Sequence, residues 1–185
     1  NTCIIINKSI ASLNEGYKLI IRGEIIMIRL AKTEDLNNIT DVYSYARKFM
    51  AENGNPTQWG TNYPSEQLIE NDINNKKMYV IEEENQIHAV FMFDICEDET
   101  YEVIKNGQWL SDEEYGVIHR VASDGKIKGV LNKAVDFCSL KKAHLRIDTH
   151  KDNKIMQHQI EKNGFKKCGI IRLINGDERI AYEKI

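Results

Sequence analysis

Residues 117–130 read VIHRVASDGKIKGV, and this stretch decides the fold. Val117 to Ala122 has the composition of a strand, within a run from Tyr115 to Ala122. Ser123, Asp124 and Gly125 break it. Ile127, Val130, Leu131, Ala134, Val135, Phe137 and Cys138 then recur at helical spacing, which predicts a helix from about Ile127 to Leu140. A strand that ends in a tight turn aims the following helix N-terminus at solvent. Its free N–H groups and positive dipole end suit an anion such as pyrophosphate. Gly125 and Gly129 let a ligand approach the backbone, and Lys126 and Lys128 add positive charge. A plain turn carrying two lysines fits the same letters. A nucleotide P-loop does not, because G-x-x-x-x-G-K-S/T is missing.

Downstream, His144 to His150 alternates, with Leu145, Ile147 and Thr149 on one face, and reads as a strand. Asp152 or Asn153 caps a helix carrying Ile155, Met156 and Ile160, which Gly164 ends. Lys167 to Leu173 and Arg179 to Lys184 form a closing hairpin around Asn175-Gly176. Upstream, Gln86 to Ile95 is nearly continuously apolar, as a central strand buried on both faces would be. Met78 to Glu82 precedes it across a short polar turn. Residues 96–114 are polar and acidic, an excursion with Tyr101, Val103 and Trp109 as anchors.

Nearer the start, Met27 to Ala31 is strand-like, and Thr33 is the expected cap of a helix. That helix carries Leu36, Ile39, Tyr43, Ala46 and Met50 and stops near Gly54-Asn55-Pro56. A loop, Thr57 to Tyr63, leads into a second helix from Pro64 or Ser65 to Asn74-Asn75. The order from Met27 is β-α-α-β-β-β-α-β-α-β-β. It predicts a mixed α/β fold: an antiparallel first half, parallel pairing through the later crossovers, and helices on both faces.

The 185 residues suggest one domain, 27–185, preceded by an extension, 1–26. Purine-rich codons for Arg22-Gly23-Glu24 ahead of Met27 resemble a translated ribosome-binding site, so we read Met27 as the natural start. The rival is a hairpin of Cys3–Ile6 with Tyr17–Ile21. Apolar content is 42%, charged content 29% and net charge -3, which fits a soluble domain without a basic nucleic-acid footprint. The four cysteines have no ligand spacing, so reduced cytoplasmic thiols and no metal are expected. No apolar run is long enough to span a membrane.

The element order over Met27 to Ile185 resembles that of the GNAT superfamily of N-acetyltransferases. The local motifs carry the resemblance further: 117–129 as the acyl-CoA strand and loop, then Asp148-Thr149-His150, Asp152-Asn153, and Gly164-Phe165 eleven residues past Asn153. Against the family's R/Q-x-x-G-x-G/A, aligned on Gly129, Asp124 replaces Arg or Gln, and Ile127 replaces the first Gly. Four residues before Gly164, where the family usually has a Tyr acid, stands Ile160.

The resemblance implies a GNAT fold, a mixed antiparallel and parallel twisted sheet, and transfer from acetyl-CoA to a primary amine by direct attack. The amine would be a small molecule or a peptide N-terminus. Val121, Ala122, Gly125, Lys126, Lys128, Gly129 and Val130 would hold the cofactor, with a backbone N–H at or near Val121 for the thioester oxygen. Asn153 would reach the pantetheine arm or simply cap its helix. His119 is the leading base candidate, because imidazole titrates near neutrality. Glu114 and Tyr115 are alternatives, and His150 ends a neighbouring strand. Trp59, Gln58 and Tyr63 would wall the acceptor pocket, and Asp94 would hold the amine's charge. Each of these side chains also has an ordinary packing or solvated reading.

Two rival functions stay open: a non-catalytic acyl-CoA-binding or sensing module, and an interaction domain without cofactor. Pairing through a sheet edge into a homodimer is a further expectation.

Overall fold

The computed structural model describes residues 17–21, 24–96 and 98–185, with side chains from Ile26 onward. Among these residues, eight strands form one sheet in the order β1-β2-β3-β4-β5-β6-β8-β7. They are β1 (Tyr17–Ile21), β2 (Glu24–Leu30), β3 (Met78–Glu83), β4 (Gln86–Ile95), β5 (Gly116–Ser123), β6 (Leu145–Thr149), β7 (Lys166–Arg172) and β8 (Glu178–Lys184). Four α-helices among the described residues accompany them: α1 (Leu36–Glu52), α2 (Glu66–Asn74), α3 (Val130–Lys141) and α4 (Lys154–Lys162).

The sheet is mixed, as the element order predicts. β1 to β5 pair antiparallel in sequence order, and β5 pairs parallel with β6. The expected second parallel pair does not form. After α4 the chain enters β7 at the edge, and β8 turns back to insert between β6 and β7, antiparallel to both. At the other edge, Tyr17–Ile21 pairs with β2, which itself starts at Glu24 rather than Met27. Cys3–Ile6, the proposed partner of Tyr17–Ile21, lies outside the described residues.

Periodicity sorts the layers. Ile39, Val42, Tyr43 and Ala46 of α1 and Ile69 and Ile73 of α2 pack on Val80, Val90 and Ala122 on one face. Leu131, Ala134, Val135, Phe137 and Cys138 of α3 and Ile160 of α4 pack on Ile81, Phe91, Ile118 and Ile147 on the other. β4 is buried over six consecutive residues between β3 and β5, consistent with its apolar run.

Several boundaries move for local reasons. Thr33 does not cap α1. A 3₁₀ turn, Thr33–Asp35, comes first, and the Asp35 carboxylate accepts from the Lys32 N–H at 2.7 Å and from Arg29 at 2.6 Å. Ser65 and Asn153 do act as caps, accepting from Leu68 N and Met156 N. The excursion is anchored by Tyr101, 1% exposed, and by Trp109, which donates to the Tyr101 carbonyl; Val103 is 65% exposed and anchors nothing. The excursion also covers the β7 edge through paired hydrogen bonds between Lys105 and Ile170.

Candidate functional site

The candidate cavity arises where two strands stop pairing. β5 and β6 share a register from Gly116↔Leu145 to Ile118↔Ile147 and no further. Beyond that point His119 to Ser123 of β5 and Asp148 and Thr149 of β6 line a cavity of about 1150 Å³. Ile127 to Leu131 and Asn153 to Met156 continue the two walls. Tyr45 and Phe49 of α1 and residues 57–60 and 63 of the early loop add another side, and Asn175, Asp177 and Arg179 close the far end.

A bulge re-aims β5 at this point. The β4–β5 register shifts between Val90 and Met92, and Arg120 sits opposite with φ +52°. A non-glycine residue holds that conformation only when its surroundings fix it. Here the Tyr43 hydroxyl donates to the Arg120 carbonyl at 2.9 Å, and the Arg120 guanidinium binds Asp72 at 2.6 Å.

The loop after β5 differs in detail from the expectation. α3 begins at Val130, so Ile127 is a loop residue, and it is buried in the main core beneath the loop. Two loop N–H groups are already taken: Gly125 N donates to Ser123 Oγ and Lys126 N to Asp124 Oδ1, both at 3.0 Å. The first turn of α3, entered through Gly129 at φ +67° with no side-chain cap, offers further N–H groups to an anion.

Asp124 points away from the cavity. Its carboxylate meets His88 Nδ1 at 2.8 Å and Lys126 Nζ at 3.5 Å. Burial alone would raise the Asp124 carboxyl, but these contacts outweigh it and hold the group below the usual carboxylate range. Lys126 is therefore paired and outside the lining, whereas Lys128 lines the cavity. Lys133, which the sequence did not single out, donates from Nζ to the Lys128 carbonyl. Gly125 has φ +81°, and a Cβ there would lie 2.5 Å from the Tyr45 hydroxyl, so the missing side chain admits Tyr45.

Of the remaining cofactor candidates, Val121, Ala122, Gly125, Gly129, Val130 and Asn153 all line the cavity. Asn153 uses both ends of its amide: Oδ1 caps α4, and Nδ2 donates to Gln58 Oε1 at 3.0 Å. The same oxygen accepts from Asn55 at 2.7 Å, which ties the early loop across to α4. Trp59 and Tyr63 also face the cavity, and Trp59 packs edge-on against Tyr43.

His119 lines the cavity as well, between two carboxylates. Nε2 is 3.0 Å from Asp98 Oδ2, and Nδ1 is 3.5 Å from Asp148 Oδ1. The Tyr101 hydroxyl donates to that same Asp148 oxygen at 2.8 Å, and its ring meets His119 edge-on. Asp98 is fixed from its other side by the Thr100 backbone and hydroxyl at 2.9 and 2.6 Å. Burial would raise Asp98, but the contacts with His119 and Thr100 outweigh it and hold the carboxyl well below the usual range. The sequence names Tyr101 only as an anchor of the excursion and Asp148 only within a family motif, and does not single out Asp98.

Besides Lys126, four sequence candidates are not brought to the cavity. Asp94, at the end of β4, forms an ion pair with Lys77 at 2.6 Å. Glu114 is exposed and paired with Lys142 at 2.7 Å. Tyr115 is buried against Tyr101 and against the guanidinium of Arg146, and its hydroxyl accepts from the Asp98 N–H at 3.3 Å. It positions Asp98 rather than facing a ligand. His150 also stays out of the lining, with Nδ1 accepting from Asp152 N.

No family model and no curated protein matches the chain. Solved structures do match. A GNAT-family acetyltransferase from Streptococcus agalactiae 2603 is 30% identical over 86% of this chain and 95% of its own, with a TM-score of 0.76. A provisionally assigned acetyltransferase from Staphylococcus aureus Mu50 is 29% identical over 85% of this chain and 97% of its own, with a TM-score of 0.63. A ribosomal-protein-alanine N-acetyltransferase from Brucella melitensis shares the fold at 16% identity and a TM-score of 0.57, over 86% and 99%.

Proposed function

The chain belongs to the GNAT family of acetyltransferases, and from that premise we propose that it moves an acetyl group from acetyl-CoA to a primary amine. The observation that carries this reading is the splay of β5 from β6. It opens a cavity of about 1150 Å³ that runs from the α3 N-terminus and Lys128 at one end to His119, Asp98 and Asp148 farther along.

The residues present fit the group. The first turn of α3 offers unpaired N–H groups and a positive dipole end to a pyrophosphate, with Lys128 beside it. Neither Gly125 nor Gly129 carries a side chain that would block the approach, and Asp124 keeps its charge turned toward His88. Acetyl-CoA, when bound, supplies a thioester as acyl donor. The edge of β5 past Ile118 lacks a β6 partner, and the Val121 N–H there is our candidate for stabilising the negative charge that grows on the carbonyl oxygen. His119 is the candidate base for the amine proton. The acceptor enters between the early loop and the β7–β8 turn, walled by Trp59 and Tyr63.

Ile160, at the family's usual acid position, is fully buried in the core and cannot assist the leaving group. This motivates the second reading, a module that binds acyl-CoA without turnover. Thiol release from acetyl-CoA across a panel of small amines and peptide N-termini separates the two. Acceptor-dependent release supports transfer. Tight acetyl-CoA binding with no release for any acceptor supports the sensor, and no binding refutes both.

A further inference from the structure

The cluster around His119 holds more than a base candidate. Asp98 is anionic at neutral pH and can only accept hydrogen bonds, so the ring nitrogen 3.0 Å from it, Nε2, carries a proton. In the neutral ring Nδ1 is then a lone pair. It lies 3.5 Å from Asp148 Oδ1, a second acceptor already committed to the Tyr101 hydroxyl. While the ring is neutral, these two acceptors can share one nitrogen donor.

We propose, resting on the acetyl-transfer reading above, that Asp98, His119 and Asp148 form one acceptor-activating unit. Asp98 is a positioning residue that keeps the His119 proton on Nε2. Nδ1 and Asp148 Oδ1 together receive the ammonium of a cationic acceptor. The excursion that carries Asp98 is thereby part of the site, held by Thr100 and by Tyr115 beneath it.

The proton and electron balance is complete. The acceptor enters as R–NH₃⁺ and gives one proton to Nδ1. The nitrogen lone pair then forms the C–N bond to the acyl carbon, and the C–S bond breaks with its electron pair on sulfur. A second nitrogen proton passes through solvent to that thiolate, and the imidazolium returns its own proton to water. While protonated, the ring faces Asp98 and Asp148 on its two nitrogens, with the Tyr101 ring edge-on; Asp72 of α2, paired with Arg120, acts on it from farther away.

The test begins with the free protein. Nitrogen-15 NMR of the His119 imidazole is expected to show the Nε2–H tautomer in the wild type and a mixture of tautomers in Asp98→Ala. With acetyl-CoA and a responsive amine, Asp98→Asn and Asp98→Ala are expected to lower kcat ten- to hundredfold while leaving the KM for acetyl-CoA within twofold. Asp148→Asn is expected to raise the KM of the amine at least tenfold. An Nδ1–H tautomer in the wild type overturns the proposal. So do Asp98 variants with unchanged tautomer and kcat in an enzyme that His119→Ala inactivates. Full activity in His119→Ala instead removes the base assignment itself, and the proposal with it.

Discussion

The two loop lysines look equivalent in sequence and are not equivalent in space, which makes a sharp comparison. Lys126 Nζ lies 3.5 Å from Asp124, so its charge is offset locally, whereas Lys128 lines the cavity, is exposed and has no carboxylate beside it among the described contacts. The magnitude follows from Coulomb's law in a water-like dielectric. A lysine about 4 Å from one phosphate charge and about 6 Å from the next gains roughly 1.0 and 0.7 kcal/mol before screening. With a Debye length of about 10 Å at 0.1 M salt, these fall to a sum of about 1.1 kcal/mol, or about sixfold in Kd. At 1 M salt, where the Debye length is about 3 Å, the same sum falls to about 0.4 kcal/mol, or about twofold.

Isothermal titration with acetyl-CoA is therefore expected to show Lys128→Ala weakened about sixfold at 0.1 M salt and about twofold at 1 M. Lys126→Ala should change less than about twofold at either salt, because removing it also removes the neighbour that Asp124 neutralises. Equal losses for the two variants would refute the pairing argument. No loss for either, with binding intact, would refute the lysine part of the phosphate site and leave the helix terminus alone to hold it.

Three further outcomes follow. Glu183 is fully buried, accepting from His144 at 2.6 Å, from Arg146 at 2.8 Å and from the Leu110 N–H; burial alone would raise its carboxyl, but these partners hold it below the usual range. Its contribution is thus full above the unfolded value of about 4.3 and lost as pH falls through the lower folded value, so Glu183→Gln should cost about 3–5 kcal/mol at pH 7, read by denaturant melts, and the gap to wild type should shrink below about pH 4. Asp72→Ala leaves the Arg120 guanidinium, 12% exposed, without its carboxylate at the β5 bulge; thermal melts should fall by about 6–20 °C, and thiol release should fall with them. Ile160→Tyr, which restores the family's usual letter, should lower stability by about 1–3 kcal/mol without raising kcat, because the position is fully buried in the core rather than at the cavity.

Much of the fold could be read from periodicity, because local pattern and tertiary burial agree. The α1, α3 and β4 patterns name the residues that pack. The β8 insertion between β6 and β7 could not be read, since a hairpin's letters fix its own pairing and not the neighbour it chooses. The site divides in the same way. The strand, break and helix start around 123–130 were legible because they are adjacent in the chain. Asp98 was not, because it is one acid among Glu97-Asp98-Glu99, and only the Thr100 anchor and the position of His119 separate it from a solvated carboxylate. Asp94 misled for the converse reason: on a strand end it could face a pocket or a lysine, and Lys77 happens to be there.

The departures from the family's letters have a common physical logic. Ile127 stands where a glycine is usual, and its side chain anchors the loop from below in the core. Ser123 and Asp124 take the Gly125 and Lys126 N–H groups, so on the acetyl-CoA reading a pyrophosphate would meet the first turn of α3 and Lys128 rather than those two amides. Asp124 then needs a partner of its own, and His88 on the adjacent β4 supplies it. At the other end, Ile160 of α4 is buried in the core and offers no acid, whereas His119 of β5, Asp148 of β6 and Asp98 of the excursion cluster at the cavity. A thiolate can leave without protein assistance, but an ammonium cannot attack until it loses a proton. On the proposed acetyl-transfer reading, the cluster of His119 with Asp98 and Asp148 would serve that deprotonation.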